Sequence, residues 1–215
     1  MTTWHIEPLA VTAITNFVLA AQALFLAGLL VEAPKARMSA AWHWGGAMFL
    51  LGLAALLGGI DHGFIEPAGL PRFWIQRLTW LALGGTTFFI VRTIAAQFLS
   101  KTQAKAISRL AWAQLLVYTA AVFAIDSFLV AVVNYALVLV WLLFMNLAHL
   151  RDGRGSWQMV AGTCTLFLAS AVQAMGIDMF SPVDHDGLYH LISMPGLVLL
   201  YFGGRRLERR ETPTG

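Results

Sequence analysis

Residues 184–190, Asp-His-Asp-Gly-Leu-Tyr-His, set two imidazoles and two carboxylates within a short stretch of a chain that is 59% hydrophobic. Imidazole and carboxylate are the groups that hold a zinc ion, and a catalytic zinc site keeps one position open for water. Asp186 and His190 are four apart, so on a helix they share a face one turn from each other. His185 precedes His190 by five, which places it about 140° round an ideal helix. It joins His190 on one ion only from a non-helical entry turn, which Gly187 permits and which Asp184 or Asp186 would cap. A second pair, Asp61-His62, repeats the same chemistry earlier in the chain. Ionisable groups near a bilayer are costly unless they pair, meet water or bind an ion, so they mark candidate functional sites.

The elements that must position these groups are membrane spans. With 215 residues, 12% charged and a mean hydropathy of +0.71, the chain lies far from soluble-domain composition. A window of about 20 residues finds seven apolar spans, approximately 9–31, 41–61, 73–99, 108–125, 128–149, 157–176 and 187–204. Bilayer interior leaves no water for backbone groups, so each span is expected to be an α-helix. The reading is all-α: one polytopic domain, residues 1–215, folded as a seven-transmembrane-helix bundle with short connections. No internal repeat is visible, and residues 1–8 carry no Lys or Arg, so the first span reads as a retained helix.

Charge sets the expected orientation. Lys35, Arg37, Lys101, Lys105, Arg109, Arg151, Arg154, Arg205, Arg206, Arg209 and Arg210 fall on one side, against Arg72 and Arg77 on the other. The positive-inside rule then puts the N-terminus outside and the C-terminus in the cytoplasm. The net charge of +3 is a topology signal and points to no nucleic-acid partner. His5, His62, His185 and His190 gather at the outer face, and His43 and His149 at the inner one. A bundle builds metal sites from side chains on facing helices, so His62, His185 and His190 are the candidate ligands. Asp61 and Asp186 are the candidate general bases or ligand-orienting groups.

Plainer readings cover the other polar residues. Asn16, Gln22, Thr86, Thr87, Asn134 and Gln173 read as interhelical hydrogen-bonding groups, and Asp126 as a turn residue between spans 4 and 5. A lone interfacial histidine is usually a solvated side chain, which suffices for His43, His149 and His5. Cys164 is the single cysteine, so no intrachain disulfide forms.

Gly58-Gly59-Ile60-Asp61-His62-Gly63-Phe64 at the end of span 2, Asp186-Gly-Leu-Tyr-His190 at the start of span 7, and more faintly Trp4-His-Ile-Glu7-Pro8 with Asn16 carry a resemblance. The chain resembles a distant bacterial branch of the alkaline ceramidase and progestin/adiponectin receptor superfamily of seven-helix, zinc-dependent membrane hydrolases. The resemblance implies a zinc held by His62, His185 and His190. It also implies a serine where Gly58 stands, an aspartate in span 3, where residues 73–99 hold no acid, and a histidine where Asp186 stands.

The expected function is zinc-dependent hydrolysis of an amide or ester in a membrane lipid, at the outer end of spans 2 and 7. In a bacterium the chain would sit in the cytoplasmic membrane. The alternative is a non-enzymatic receptor or assembly subunit using the same outer pocket for metal or ligand. A b-type haem or quinone protein ranks below both, because His43 and His62 lie 19 residues apart, roughly 28 Å along a helix. Oligomeric state is not encoded in any of these features.

Overall fold

The computed structural model describes residues 7–32, 39–179 and 181–207. Among them the chain forms seven α-helices and no β-strand: α1 (Pro8–Glu32), α2 (Ala40–Ile60), α3 (Phe73–Phe98), α4 (Lys101–Ala124), α5 (Leu129–Ala148), α6 (Trp157–Ala174) and α7 (His185–Gly204). α2 runs on through a π-helical turn, Asp61–Ile65. Six of these helices, all but α6, are long and apolar enough to cross a membrane. α6 has 18 residues and carries Gln158 and Gln173 near its two ends. Phe25, Leu116, Leu137, Phe144 and Phe202 are exposed on four different helices, a surface that hydrocarbon solvates and water does not. The chain is a multi-pass membrane protein.

Local chemistry fixes the helix ends. Ser39 accepts the Trp42 N–H at the start of α2, and Ser156 accepts the Met159 N–H at the start of α6. Ser100 and Gln103 form a reciprocal capping box that starts α4 at Lys101, seven residues before the apolar run that marks span 4. A capping box is polar, so hydropathy does not register it.

Helices α1, α2, α3, α5, α6 and α7 meet in sequence and α7 closes back on α1, with α4 laid against α3 and α5. Leu30, Met48, Ile94, Leu142, Met159 and Leu197 fill the middle of the ring. Two of its glycines permit close backbone approaches. A Cβ on Gly162 would stand 2.9 Å from the Gly196 carbonyl oxygen of α7, and one on Gly52 would stand 3.1 Å from the Leu24 backbone nitrogen of α1. Small residues at such positions let membrane helices pack closely.

Polar side chains add specific ties. Asn134 donates to the Thr87 hydroxyl at 2.8 Å, and Gln114 donates to the Asn134 side-chain oxygen, joining α3, α4 and α5. Gln22 of α1 donates to the Met194 carbonyl of α7. Thr86 and Asn16 depart from the interhelical role expected of them: each donates to its own helix, to Ala82 and Thr12 respectively. The carbonyl four residues back is always within reach of such a side chain. Asp126 does more than turn the connection between α4 and α5, because it accepts a 2.9 Å hydrogen bond from buried Arg77 of α3.

Candidate functional site

At one end of the ring the helices enclose a cavity of about 340 Å³. Its outer part is polar, bordered by Asp61, His62, Arg72, Gln76, Asp186 and His190, and its inner wall is apolar, with Leu19, Leu51, Ala55, Trp80 and Leu83. Leu51 lies ten residues before Asp61 along α2, so the wall reaches roughly 15 Å into the bundle at 1.5 Å per residue.

The α2 side is organised by Arg72. Asp61, buried at the helix end, accepts two hydrogen bonds from that guanidinium, at 2.9 and 2.8 Å. The same guanidinium pairs with Glu66, and Glu66 holds His62 Nδ1 at 2.7 Å. The hydrogen bond to Asp61 is the main cause that raises the Arg72 pKa above its ordinary value. The π-turn that carries Asp61 and His62 is a frequent feature of functional sites in helices. Here it places His62 and Glu66 within reach of each other.

The α7 side begins with Asp184, whose carboxylate accepts the Gly187 N–H at 2.8 Å and so caps the helix. It also accepts the Thr12 hydroxyl at 3.0 Å, fastening α7 to α1. Six residues further on, His190 Nδ1 lies 3.0 Å from the Thr15 hydroxyl. That hydroxyl is also within 3.0 Å of the Val11 and Thr12 carbonyls. With the single Thr15 proton on either carbonyl, the hydroxyl oxygen accepts from Nδ1–H of His190, an arrangement that leaves the lone pair of His190 on Nε2. Asp186 accepts a 2.7 Å hydrogen bond from Gln173 of α6.

Of the residues singled out from sequence, Asp61, His62, Asp186 and His190 border this one cavity, and His185 does not. The cap at Asp184 makes His185 the first helical residue, so the non-helical entry turn that co-ligation with His190 requires is not formed. His185 instead turns outward, and both its backbone N–H and its Nδ1 bond the Asp178 carboxylate, at 2.7 and 3.0 Å. Those hydrogen bonds lower the Asp178 pKa. His43 packs against Trp42 and Phe89 on α2 and α3, and His149 lies 2.9 Å from the Met145 carbonyl; neither borders the cavity. His5 and Trp4 lie outside the described residues.

Among the described residues no three His, Cys, Asp or Glu side chains are grouped so as to hold a metal ion. Three of the acids near the cavity already have partners: Asp61 and Glu66 share Arg72, and Asp186 has Gln173.

Residues 11–209 match the model of a family of unknown function, DUF6962. The chain belongs to that family. No curated protein and no solved structure matches it. In this DUF6962 chain, Gly58 lies against Asn16, whose side-chain oxygen would be 3.2 Å from a Cβ added there. Asn16 therefore occupies the space beside the position at which the resemblance implies a serine.

Sequence reasoning missed six polar cavity residues of this family member, because it assigned Asn16 and Gln173 to helix packing and Arg72 to topology, and passed over Thr12, Gln76 and Thr79. A signal was present on α3. Arg72, Gln76, Thr79 and Leu83 follow one another at spacings of four, three and four, which is one face of a helix turning from charged to apolar. All four border the cavity.

Proposed function

We propose that this membrane protein binds an amphipathic molecule in the cavity between α1, α2, α3 and α7, with the polar head among His62, Asp186 and His190 and the chain along Leu51, Ala55 and Leu83. The observation that carries the reading is the cavity's division into a polar outer part and an apolar inner wall. Its volume is at the small end of ligand pockets, which span about 300–1,000 Å³ with mostly apolar walls and a few placed polar groups. In this proposal all seven helices cross the membrane, the N-terminus is outside, and the cavity opens at the outer face. Lys101, Lys105, Arg109, Arg151, Arg154, Arg205 and Arg206 at the opposite helix ends favour that orientation.

The test is equilibrium binding of a radiolabelled twelve-carbon alcohol to the full chain in phosphatidylcholine nanodiscs. Saturable binding is expected, lost in Ala55→Phe, which fills the inner wall, and kept in Leu137→Phe on the exposed face of α5. Binding that never saturates, or that Ala55→Phe leaves intact, overturns the reading.

A second reading, zinc-dependent hydrolysis of a lipid amide or ester, is favoured by one specific observation. Both cavity histidines are held through Nδ1, His62 by Glu66 and His190 by Thr15. This is how an outer partner orients an imidazole for a metal at Nε2. His62, His190 and Asp186 would have to draw together to hold the ion, and zinc would then supply Lewis acidity and an activated water. Stoichiometric zinc in the purified protein, lost in His62→Ala together with cleavage of a lipid amide or ester, is the expected result. Metal-free protein with no such cleavage excludes it.

A further inference from the structure

We infer that the cavity selects an amphiphile whose head is a protonated primary amine; the inference rests on the proposal of an amphiphile site. It comes from accounting for donors and acceptors one by one. Arg72 forks Asp61 and Glu66. Asn16 donates to the Thr12 carbonyl and Gln173 to Asp186. Thr12 donates to Asp184 and Thr79 to the Ile75 carbonyl. His190 donates through Nδ1 to Thr15, and His62 Nδ1 faces the Glu66 carboxylate. A carboxylate accepts and never donates, so His62 also carries its proton on Nδ1. Toward the cavity Nε2 of each imidazole, the Asn16 side-chain oxygen and the second oxygen of Asp186 are left as acceptors, beside the Gln76 amide, which offers both a donor and an acceptor. A head group that donates meets every one of these groups.

Charge points the same way. Asp61 and Asp186 border the cavity against the single cation Arg72, which Glu66 also shares. Among the described residues Asp186 has no Lys or Arg partner, and its hydrogen bond comes from a neutral amide. A carboxylate facing a poorly solvated cavity without a counter-ion attracts a cation and repels an anion. Trp80, Phe128 and Tyr189 also border the cavity, and an aromatic ring attracts an ammonium group placed over its face. An anionic head would meet an opposing field.

Three radiolabelled probes of one chain length, dodecylamine, dodecanol and dodecanoate, separate the classes on the full chain in phosphatidylcholine nanodiscs. At about pH 7.5 the amine is protonated and the acid ionised. Dodecylamine is expected to bind at least about tenfold more tightly than dodecanol, with dodecanoate weakest. Asp186→Asn is expected to bring dodecylamine down to the affinity that the same variant shows for dodecanol, and Asp186→Glu to restore the preference. If Asp186→Asn does not fold, the order of the three probes on the unaltered chain decides the matter. Dodecanol matching dodecylamine, or dodecanoate binding best, overturns the inference and leaves the amphiphile site standing. Absence of saturable binding by all three overturns both.

Discussion

Arg72 is the residue on which the α2 side of the cavity depends, because Asp61 is buried and that guanidinium supplies both of its hydrogen bonds. Removing one partner of such a pair strands a buried charge, a loss of about 3–5 kcal/mol. Arg72→Ala is therefore expected to lower thermal stability in detergent by a margin that Asp61→Asn, which removes the charge itself, does not match. Thr15 sets the tautomer of His190 by accepting from Nδ1. Thr15→Val removes the acceptor, and nitrogen NMR of labelled histidine is expected to show Nδ1–H no longer fixed at this position. At the rim, Asp178 has its pKa lowered by the hydrogen bonds from His185. The sign follows from the depressed carboxyl: the contact contributes fully above the unfolded carboxylate pKa and is lost as pH falls through the lower folded value. The protection of the His185 amide relative to its intrinsic exchange rate is expected to fall across that acid window, and to be low throughout in Asp178→Asn. None of these partners was legible from spacing. Arg72 and Asp61 are eleven residues apart, and Thr15 and His190 are 175 apart.

At the scale of elements, hydropathy located all seven helices because a backbone in hydrocarbon must satisfy itself. What it misjudged were ends, where polar chemistry takes over. α4 starts at a capping box before its apolar run, and α7 is capped by Asp184 and starts at His185. The π-turn after α2 has no signature in hydrophobic periodicity, because the same apolar and small residues serve either winding. The tie among Thr87, Asn134 and Gln114 holds α3, α4 and α5 together within their spans. Asn134→Leu is expected to cost about 1 kcal/mol, the ordinary worth of a hydrogen bond between membrane helices, measured as a shift in the detergent unfolding midpoint. Ser100→Ala is expected to cost about the same by loss of the α4 cap.

For the whole molecule, the proposed orientation is testable with labels. In a Cys164→Ser background, Ser127→Cys lies in the α4–α5 connection and Arg154→Cys in the α5–α6 connection. A membrane-impermeant thiol reagent added to intact cells is expected to modify the first and spare the second; the reverse pattern inverts the proposed topology. Composition and periodicity by themselves determined that the chain is helical and crosses a membrane, and they placed each helix, because the bilayer imposes one solution on any apolar run of sufficient length. The spacing of Asp186 and His190 likewise fixed their common face. Only the tertiary structure decided which ionisable groups share a cavity. It brought Asp61, His62, Asp186 and His190 to one cavity, added Arg72, Gln76, Asn16 and Gln173 beside them, and turned His185 outward to Asp178. The physical reason is that a helix fixes the relative directions of its own side chains, while their partners across the bundle follow from how the ring of helices closes.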